Sequence, residues 1–392
     1  MKVMKFGGTS VKDSTAIIRT IGIVKDRYKQ AWVVVSAFAG VTNELVKITE
    51  QLKNKSFNAA RETADKLLYL HKTTAQELNS GKDTFDFIDD IFQKLNLSIG
   101  AIEILGEITP KSIDHVISMG EILSSKIIAD YSKSINMNSN HVDSRNLIKT
   151  DSNFTAAEVD FDSTNIIISN YIKENSGFDY IISGGFIGSN SENITTTLGR
   201  GGSDYTAAVY ASALKSEVLE IWTDVDGILT SDPRLVNNAK ILKQVSYQEA
   251  AELAYFGAKV LHPKTIFPAI NQNIPVYVLN SYNPEGKGTL ITQHSSTSNE
   301  IKSISFRRNI TLINIISNRM LGAYGFLSKV FEVFNNNETS VDLVSTSEVS
   351  ISLTIDDTRN ISEIINQLSE FANTEVFENK AIISAIGAGI RD

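Results

Sequence analysis

The sequence contains no cysteine, and it has only five histidines in 392 residues. The lack of cysteine excludes disulfide bonds, thiolate metal sites and cysteine nucleophiles. The few, scattered histidines give a histidine-based zinc site little support. The absence of cysteine is compatible with a reducing compartment, and we expect a cytoplasmic protein.

Long apolar runs are also absent. The longest, such as residues 32–35 and 166–168, are far shorter than the roughly 20 residues of a membrane span. Residues 1–8 are interrupted by Lys5 and two glycines, so they do not resemble a signal peptide. The net charge of -8 disfavours nucleic acid as a main partner. We expect no membrane partner and no nucleic acid partner, although local cations can still hold an anionic substrate.

The length predicts two or three domains, and the first part of the chain has the rhythm of an α/β fold. Short apolar segments, each ending in a loop of small or polar residues, predict strands at 3–6, 32–35, 180–182, 218–222 and 274–279. The region from about 44 to 135 is predicted to be mostly helical. Together they predict an open, mainly parallel sheet between helices, with ligands at the carboxyl ends of its strands.

The composition changes between residues 281 and 302, where Asn, Pro, Gly, Ser and Thr predict a turn-rich connection. Beyond it we predict strands at 310–316, 341–344, 349–355, 375–377 and 381–386, and helices at 325–334 and 361–371. This β-α-β-β-α-β order is that of a ferredoxin-like α+β domain. We therefore place one domain at 1–295 and a second at 304–392.

Lys5 and the glycine pair Gly7 and Gly8 directly follow the first predicted strand. Two adjacent glycines let backbone N–H groups approach an anion, and the lysine can reach the same anion. The order differs from a Walker motif, because the lysine precedes the glycines. Two glycines after a strand more often form a plain tight turn, so these residues alone favour the turn over a phosphate site.

Arg200 lies among three glycines just before a helix predicted at 205–214. Its planar guanidinium suits a carboxylate or a phosphate. Ser203 or Asp204 would serve as a helix cap in the simplest interpretation. A cap alone does not require an arginine between glycines, so the pattern favours an anion site.

Other candidate residues have an ordinary structural alternative. The segment from Thr223 and Asp224 to Gly227 suits a plain turn or contacts to nucleotide hydroxyls, and it lacks the twelfth-position acid of an EF-hand. Lys259 lies among small and apolar residues, and on its own it is better explained as a solvated side chain than as a ligand contact. Gly120 lies in a predicted helix, where glycine costs ~1 kcal/mol relative to alanine and so needs a packing or ligand reason. Its neighbour Glu121 either faces water or faces a ligand.

Taken together and in order, these segments resemble aspartokinases, in the amino acid kinase superfamily. The matching motifs are KFGGTSV at 5–11, VSAxAGVTN at 35–43, GE at 120–121, GGFIG at 184–188, TTLGRGGSDYTA at 196–207, WTDVDGI at 222–228, DPR at 232–234 and AKVLHP at 258–263. The chain after about residue 304 resembles the regulatory ACT domain of this family, through GFLxxVF at 325–331 and SVDLVSTSEVS at 340–350.

The resemblance implies transfer of the γ-phosphate of ATP to the side-chain carboxylate of L-aspartate, the first step towards lysine, threonine and methionine. It implies catalytic roles for Lys5, Arg200 and Asp204. It implies that aspartate is bound by Ser36, Thr42, Glu121, Arg200 and Ser203. It implies that ATP is bound by Lys5, Phe6, Gly7, Gly8, Thr223, Asp224, Leu229, Arg234, Lys259 and Val260. Mg²⁺ would travel on the nucleotide phosphates, without a protein metal motif of its own.

Two positions depart from the usual family pattern. Many aspartokinases have tyrosine where this chain has Leu229, so an adenine contact there would come from the backbone. Family members usually carry two ACT copies, and here the second is missing or incomplete. The expectation is a truncated or divergent chain, or one part of a larger product.

The resemblance also implies an amino acid effector, and the ACT segment resembles the lysine-inhibited branch more than the threonine-inhibited one. The implied lysine-binding residues are Met320, Gly325, Phe326, Leu327, Val341, Asp342, Ser347 and Glu348. Core packing alone would explain the apolar members, and Ala323 stands where that branch tends to have serine. Because ACT modules commonly pair edge to edge, we expect a homodimer or larger homo-oligomer.

Two competing functions are compatible with parts of the sequence. A kinase of the same fold acting on glutamate, acetylglutamate, carbamate or UMP is disfavoured by the set of Thr42, Glu121 and Arg200 and by the ACT-like segment after residue 304. A non-catalytic amino acid sensor is disfavoured by the presence of Lys5, Arg200 and Asp204.

Overall fold

The structure, a computed structural model, describes residues 1–255, 261–294, 301–317, 320, 324–387 and 390. These residues form two compact units. The first comprises the described residues up to Ala254 and from 261 to 294, with Ile390, and the second comprises Tyr255 and the described residues from 301 to 387. The predicted domain bounds, 1–295 and 304–392, stay predictions.

The first unit is built on an eight-stranded sheet with the order β3-β4-β2-β1-β7-β9-β10-β8. Its strands are β1 (Lys2–Phe6), β2 (Ala31–Val35), β3 (Ser139–Val142), β4 (Tyr180–Gly184), β7 (Leu219–Thr223), β8 (Gln244–Ser246), β9 (Val276–Asn280) and β10 (Thr289–Thr292). A separate antiparallel pair consists of β5 (Ile187–Ser189) and β6 (Thr195–Thr197). In the large sheet only the β9–β10 pairing is antiparallel, which confirms the predicted mainly parallel arrangement.

Burial on both faces explains the continuous apolar composition of the central strands. All five residues of β2 are buried, and so are Val3, Met4 and Phe6 of β1. The indole N–H of Trp32, in β2, donates a hydrogen bond to Ser183 Oγ at 2.9 Å.

Helices flank this sheet. They are α1 (Ser14–Arg27), α2 (Val41–Lys53), α3 (Phe57–Glu77), α4 (Lys82–Leu105), α5 (Pro110–Ile117), α6 (Met119–Ser134), α7 (Phe161–Glu174), α8 (Gly202–Ala213), α9 (Tyr247–Tyr255) and α10 (Pro263–Ile270). The helices α2 to α6 confirm the helical region predicted between 44 and 135. No helix in the described ranges is long and apolar enough to cross a membrane.

The glycine near the start of α6 has a packing reason. A Cβ on Gly120 would lie 2.8 Å from the Cβ of Ala37, in the loop that follows β2. Such a distance is too short for two carbon atoms that are not bonded, so only glycine lets the helix and the loop approach this closely.

The second unit has a four-stranded antiparallel sheet with the order β12-β13-β11-β14 and two helices. The elements are β11 (Ser303–Ile316), α11 (Phe326–Asn336), β12 (Val344–Thr346), β13 (Ser350–Ile355), α12 (Ile361–Ser369) and β14 (Asn373–Ile386). Their order confirms the predicted β-α-β-β-α-β fold. Its core contains Ile313, Val330, Phe334, Leu353 and Ile364.

Two predicted strand bounds in this unit are wrong. The strand expected at 341–344 begins only at Val344, because the backbone before it is bulged. The N–H of Asp342 and the C=O of Leu343 both form hydrogen bonds with the backbone of Thr354, so two residues of this segment lie opposite one residue of β13. The two strands expected at 375–377 and 381–386 are parts of one strand. Its regular extended backbone is interrupted at Asn379, whose φ is 57°.

Candidate active site

A cavity of about 570 Å³ opens at the carboxyl ends of β1 and β2. The residues that the sequence predicted as catalytic or aspartate-binding all line it, together with one of the predicted phosphate-binding glycines. These are Lys5, Gly8, Ser36, Thr42, Glu121, Arg200, Ser203 and Asp204. Residues far apart in the chain therefore meet at one edge of the sheet, where parallel strands present their C-terminal loops.

Lys5 and Asp204 form an ion pair inside this cavity. The Nζ atom of Lys5 lies 2.6 Å from Oδ1 of Asp204, and the two side chains are 11% and 15% exposed. Lys5 is the second-last residue of β1, and Asp204 is in the first turn of α8. The carboxylate fixes the position of the ammonium group while leaving it at the cavity surface.

The start of α8 excludes the simple capping interpretation. The N-cap residue is Gly201, with φ of 75°, and no side chain caps the helix. Ser203 and Asp204 instead lie inside the first turn, next to the cavity. The first turn of α2, with Thr42, borders the same cavity. Two helix N-termini thus add their partial positive charge to that of Lys5 and Arg200.

Glu121 is buried in the cavity wall. Its exposed fraction is 3%, and burial raises the pKa of its carboxyl group to about 8. The N–H groups of Ala37 and of Glu121 itself, and the charge of Lys5, only partly offset this rise in pKa. Within the described part of the chain, Oε2 of Glu121 has no hydrogen-bond partner. A buried carboxyl oxygen without a partner, on a residue that lines the cavity, is suited to a cationic ligand group.

Gly185 allows β4 to approach α8. A Cβ on Gly185 would lie 2.7 Å from both the Cα and the Cβ of Ser203. The loop after β4 and the first turn of α8 are therefore in direct backbone contact, which sets the shape of this side of the cavity.

The predicted nucleotide-binding residues do not line the cavity, apart from Lys5 and Gly8. Gly7 and Thr223 lie side by side at the ends of β1 and β7, where the N–H of Gly7 donates to the C=O of Trp222 at 3.0 Å. Asp224 is exposed beside Thr223 and accepts a hydrogen bond from its hydroxyl at 3.1 Å. Phe6 is fully buried and stacks on Trp222, so only its backbone is available to a ligand.

The remaining predicted nucleotide contacts are less closely grouped. Arg234 is 83% exposed and binds Asp232 through two nitrogens. Leu229 is partly buried and forms an isolated bridge to Ile241. Lys259 and Val260 lie outside the described residues.

Sequence reasoning missed some of the residues that line the cavity. Phe186 is one of them, and its φ of 67° is unusual for a residue with a bulky side chain. Its position directly after Gly184 and Gly185 at a strand end was the available signal. Phe38 and Asn43 also line the cavity, within the motif that contains Ser36 and Thr42.

The residues predicted to bind an effector lie in the second unit, with different surroundings. Met320, Phe326 and Val341 pack against the core, which suits the core-packing alternative, whereas Leu327 is exposed. Gly325 precedes α11 with φ of 79°, and Ser347 and Glu348 are exposed. Asp342 has a side chain that is 6% exposed, and it accepts a hydrogen bond from Arg307 Nη1 at 3.0 Å. Ala323 lies outside the described residues.

Across the described ranges, no group of three or more His, Cys, Asp or Glu side chains could hold a metal ion.

Two protein families match this chain, one in each of its two parts. The model of the amino acid kinase family matches residues 1–280, and that of an ACT domain matches residues 313–360. The lysine-sensitive aspartokinase 3 of Escherichia coli is 36% identical over 394 residues, which cover 98% of this chain and 86% of that protein.

Solved structures give the same result. Aspartokinase III of E. coli in complex with lysine and aspartate, in the T-state, is 35% identical with a TM-score of 0.84, covering 98% of this chain and 86% of that chain. The same enzyme with aspartate and ADP, in the R-state, is 34% identical with a TM-score of 0.82, covering 98% and 87%. These comparisons show that the chain, in which Lys5, Arg200 and Asp204 line one cavity, belongs to the aspartokinases of the amino acid kinase family.

Proposed function

We propose that this protein is an aspartate kinase, which converts ATP and L-aspartate into ADP and 4-phospho-L-aspartate. The observation that carries the proposal is the Lys5–Asp204 ion pair in one cavity with Arg200 and Glu121. The E. coli relative whose structures contain aspartate and ADP supports the same substrates here.

The cavity chemistry suits a small amino acid with two carboxylates. Arg200 binds the α-carboxylate through its planar guanidinium, and Glu121 accepts the α-ammonium group on its free oxygen. Ser36, Thr42 and Ser203 supply hydroxyl groups around the same ligand. The side-chain carboxylate of aspartate is then directed towards Lys5.

The transfer step needs no covalent enzyme intermediate, because a carboxylate is already a nucleophile. An oxygen of the aspartate side chain forms a bond to the γ-phosphorus, the bond from that phosphorus to the β–γ bridging oxygen breaks, and ADP leaves with that oxygen. Lys5 neutralises charge on the transferred phosphoryl group, and Asp204 holds Lys5 in line. Catalysis therefore rests on positioning and on charge neutralisation.

ATP approaches from the ends of β1 and β7, where Gly7, Gly8, Thr223 and Asp224 lie. Backbone N–H groups beside Lys5 suit a phosphate chain. Mg²⁺ would be carried by the nucleotide phosphates and would supply further neutralisation of their charge. Arg234, Leu229, Lys259 and Val260 remain predicted contacts for the nucleotide.

A coupled assay of ADP release tests the proposal, with trapping of the acyl phosphate by hydroxylamine. We expect ADP release that depends on L-aspartate and an equal yield of aspartyl hydroxamate. Glutamate, acetylglutamate and UMP serve as alternative acceptors in parallel reactions. Release that depends on one of these instead of aspartate, or no release with any acceptor, would contradict the proposal.

Regulation by lysine is the finer part of this proposal. It is supported by the lysine-sensitive E. coli relative and its lysine complex, and by the position of Asp342 in the predicted effector segment. We also propose a homodimer or larger homo-oligomer and a cytoplasmic location. Separate titrations of lysine and threonine against activity test the effector, and the absence of inhibition by millimolar lysine would refute it. Light scattering with size exclusion tests the oligomer.

A further inference from the structure

Asp114 is a buried carboxylate that the mechanism above does not use. It lies on α5 and is 0% exposed. Burial raises the pKa of its carboxyl group, and the hydrogen bonds from Thr197 and Thr155 oppose that rise. A carboxylate removed from water is retained only where its oxygens are well bonded.

The bonds of Asp114 join two separate segments of backbone. The N–H of Thr155 donates to Oδ2 at 2.9 Å and to Oδ1 at 3.1 Å. The N–H of Thr197 donates to Oδ2 at 3.0 Å, and the Thr197 hydroxyl donates to Oδ1 at 2.6 Å. Both carboxylate oxygens are therefore used, and α5 is tied to the loop at 152–157 and to the end of β6.

These two segments support the loop that carries Arg200. The N–H of Ala157 donates to the C=O of Thr197 at 2.9 Å, so the segments are also bonded to each other. Gly199 lies against the loop at 152–157, since a Cβ there would be 3.4 Å from the carbonyl oxygen of Thr155 and 3.6 Å from the Cα of Ala156. Thr155 itself has φ of 72°, an uncommon backbone conformation that needs support from its surroundings.

We propose that Asp114 is a positioning residue for the reaction: by holding Thr155 and Thr197 together, it fixes the loop that directs Arg200 into the cavity. Asp114 touches neither substrate and acts through Arg200. The inference rests on the proposed function for its kinetic consequence, but its structural part concerns only the loop at 197–203.

The simpler alternative is a purely structural role, in which Asp114 adds stability to the fold and no more. The two interpretations differ in which kinetic constant changes. A loosened Arg200 loop weakens binding of the aspartate α-carboxylate and leaves the nucleotide side at β1 and β7 intact. General loss of stability would lower the amount of active enzyme without changing either KM.

Asp114→Asn in the full chain tests this. One oxygen of the carboxylate is replaced by an amide group that faces N–H donors, while the volume is kept. We expect the KM for aspartate to rise tenfold or more and the KM for ATP to stay within twofold. Hydrogen–deuterium exchange should become faster in peptides covering 197–203. An unchanged KM for aspartate, or an equal rise in both KM values, would overturn the proposal.

A milder variant covers the case in which Asp114→Asn does not fold. Thr197→Val removes only the hydroxyl that donates to Oδ1, and we expect a rise of about threefold in the KM for aspartate. An unchanged KM for aspartate in this variant would also overturn the proposal. Thr84→Val is the matched control, because buried Thr84 on α4 also donates its hydroxyl to a carboxylate oxygen, Asp130 Oδ2, at 2.8 Å, and neither residue lines the cavity. We expect it to lower the melting temperature without changing either KM. If Thr84→Val reproduced the rise in the KM for aspartate alone, the role assigned to Asp114 would be refuted.

The exchange measurement separates this inference from the proposed function. If the wild-type enzyme did not phosphorylate aspartate, the proposed function would fail, while exchange in 197–203 would still report whether Asp114 holds the loop. If the wild type is active and the variants change neither exchange nor KM, only the inference fails.

Discussion

The ammonium group of Lys5 lies 2.6 Å from the carboxylate of Asp204, across the gap between the end of β1 and the first turn of α8. The pair joins the two motifs that bracket the proposed reaction centre. Because both side chains are largely buried, the position of the lysine is set by the protein before any substrate arrives.

Replacing Lys5 removes the positive charge proposed to neutralise the transferred phosphoryl group. We expect Lys5→Met to lower kcat by roughly a hundredfold to a thousandfold, the range seen when one stabilising donor is lost. Steady-state ADP release measures this. Lys2→Met is the control, because Lys2 lies on the same strand and pairs with Glu217 at the protein surface. Turnover that is unchanged in Lys5→Met would remove Lys5 from the mechanism.

Aspartate binding should release a proton from Glu121. The empty site keeps this carboxyl group protonated at neutral pH, because burial raises its pKa to about 8, and an incoming ammonium group favours the ionised form. The affinity for aspartate should therefore rise with pH up to about 8. Calorimetry at pH 6.5 in buffers of different ionisation enthalpy measures the released proton. Glu121→Gln should bind weakly and without proton release, and proton release that persists in this variant would refute the assignment.

The stability of the empty protein should depend on pH through the same group. From its ordinary value near 4.5 up to about 8, Glu121 is ionised in the unfolded chain but protonated in the folded protein. The folded state then binds more protons, so this contribution to the free energy of unfolding falls as pH rises, by at most about 1.4 kcal/mol per pH unit. Denaturant unfolding of wild type and Glu121→Gln between pH 5 and 8 gives the difference. Glu107→Gln, at an exposed position, should follow the wild type.

A methyl group at position 185 should disturb the site without touching a substrate. The new Cβ would lie 2.7 Å from Ser203 Cα, so the first turn of α8 must shift, and Asp204 with it. We expect Gly185→Ala to lower kcat/KM for aspartate by roughly tenfold to a hundredfold, since small displacements of reacting groups are costly. Gly177→Ala is the control, as a Cβ there meets nothing within 4 Å. Equal activity of the two variants would show that the contact between position 185 and Ser203 does not set the position of Asp204.

Inhibition by lysine should depend on Asp342. Its carboxylate is buried beside Arg307 and is the proposed partner of the effector ammonium group. We expect Asp342→Asn to raise the lysine concentration for half-inhibition at least tenfold and to leave activity without lysine nearly unchanged. Asp357→Asn, which removes a charge paired with Arg359 at the surface, should be inhibited like the wild type. Identical inhibition curves for Asp342→Asn and wild type would place the effector elsewhere.

Local patterns in the sequence predicted the strands that carry the site, because each buried strand of a parallel sheet is an apolar run closed by small residues. Lys5 followed from a motif at one of those strand ends, and Arg200 and Asp204 from a glycine-rich motif before a predicted helix. All three line the same cavity. Asp114 could not be found this way. Its importance comes from tertiary hydrogen bonds to Thr155 and Thr197, and a single acidic residue on a helix has no local signature.

The two wrongly predicted strand bounds of the second unit also result from contacts between distant segments. The bulge opposite Thr354 and the φ of 57° at Asn379 are consequences of strand pairing, not of the composition of either segment. A strand predicted from alternation alone is expected to be regular, so it cannot contain an extra residue that the partner strand imposes. A sequence motif likewise cannot predict that Arg234 is exposed and pairs with Asp232.

Close contacts at Gly120, Gly184 and Gly185, beside the cavity, also limit how the specificity of this enzyme can evolve. A Cβ on Gly184 would lie 2.8 Å from the carbonyl oxygen of Glu121, so the end of β4 and the start of α6 are in direct main-chain contact behind the part of the cavity wall that Glu121 forms. Any substitution there adds volume where none is free, and no smaller residue exists to enlarge the space. Acceptance of a longer acid must therefore arise through side chains that line the cavity, such as Thr42 and Asn43.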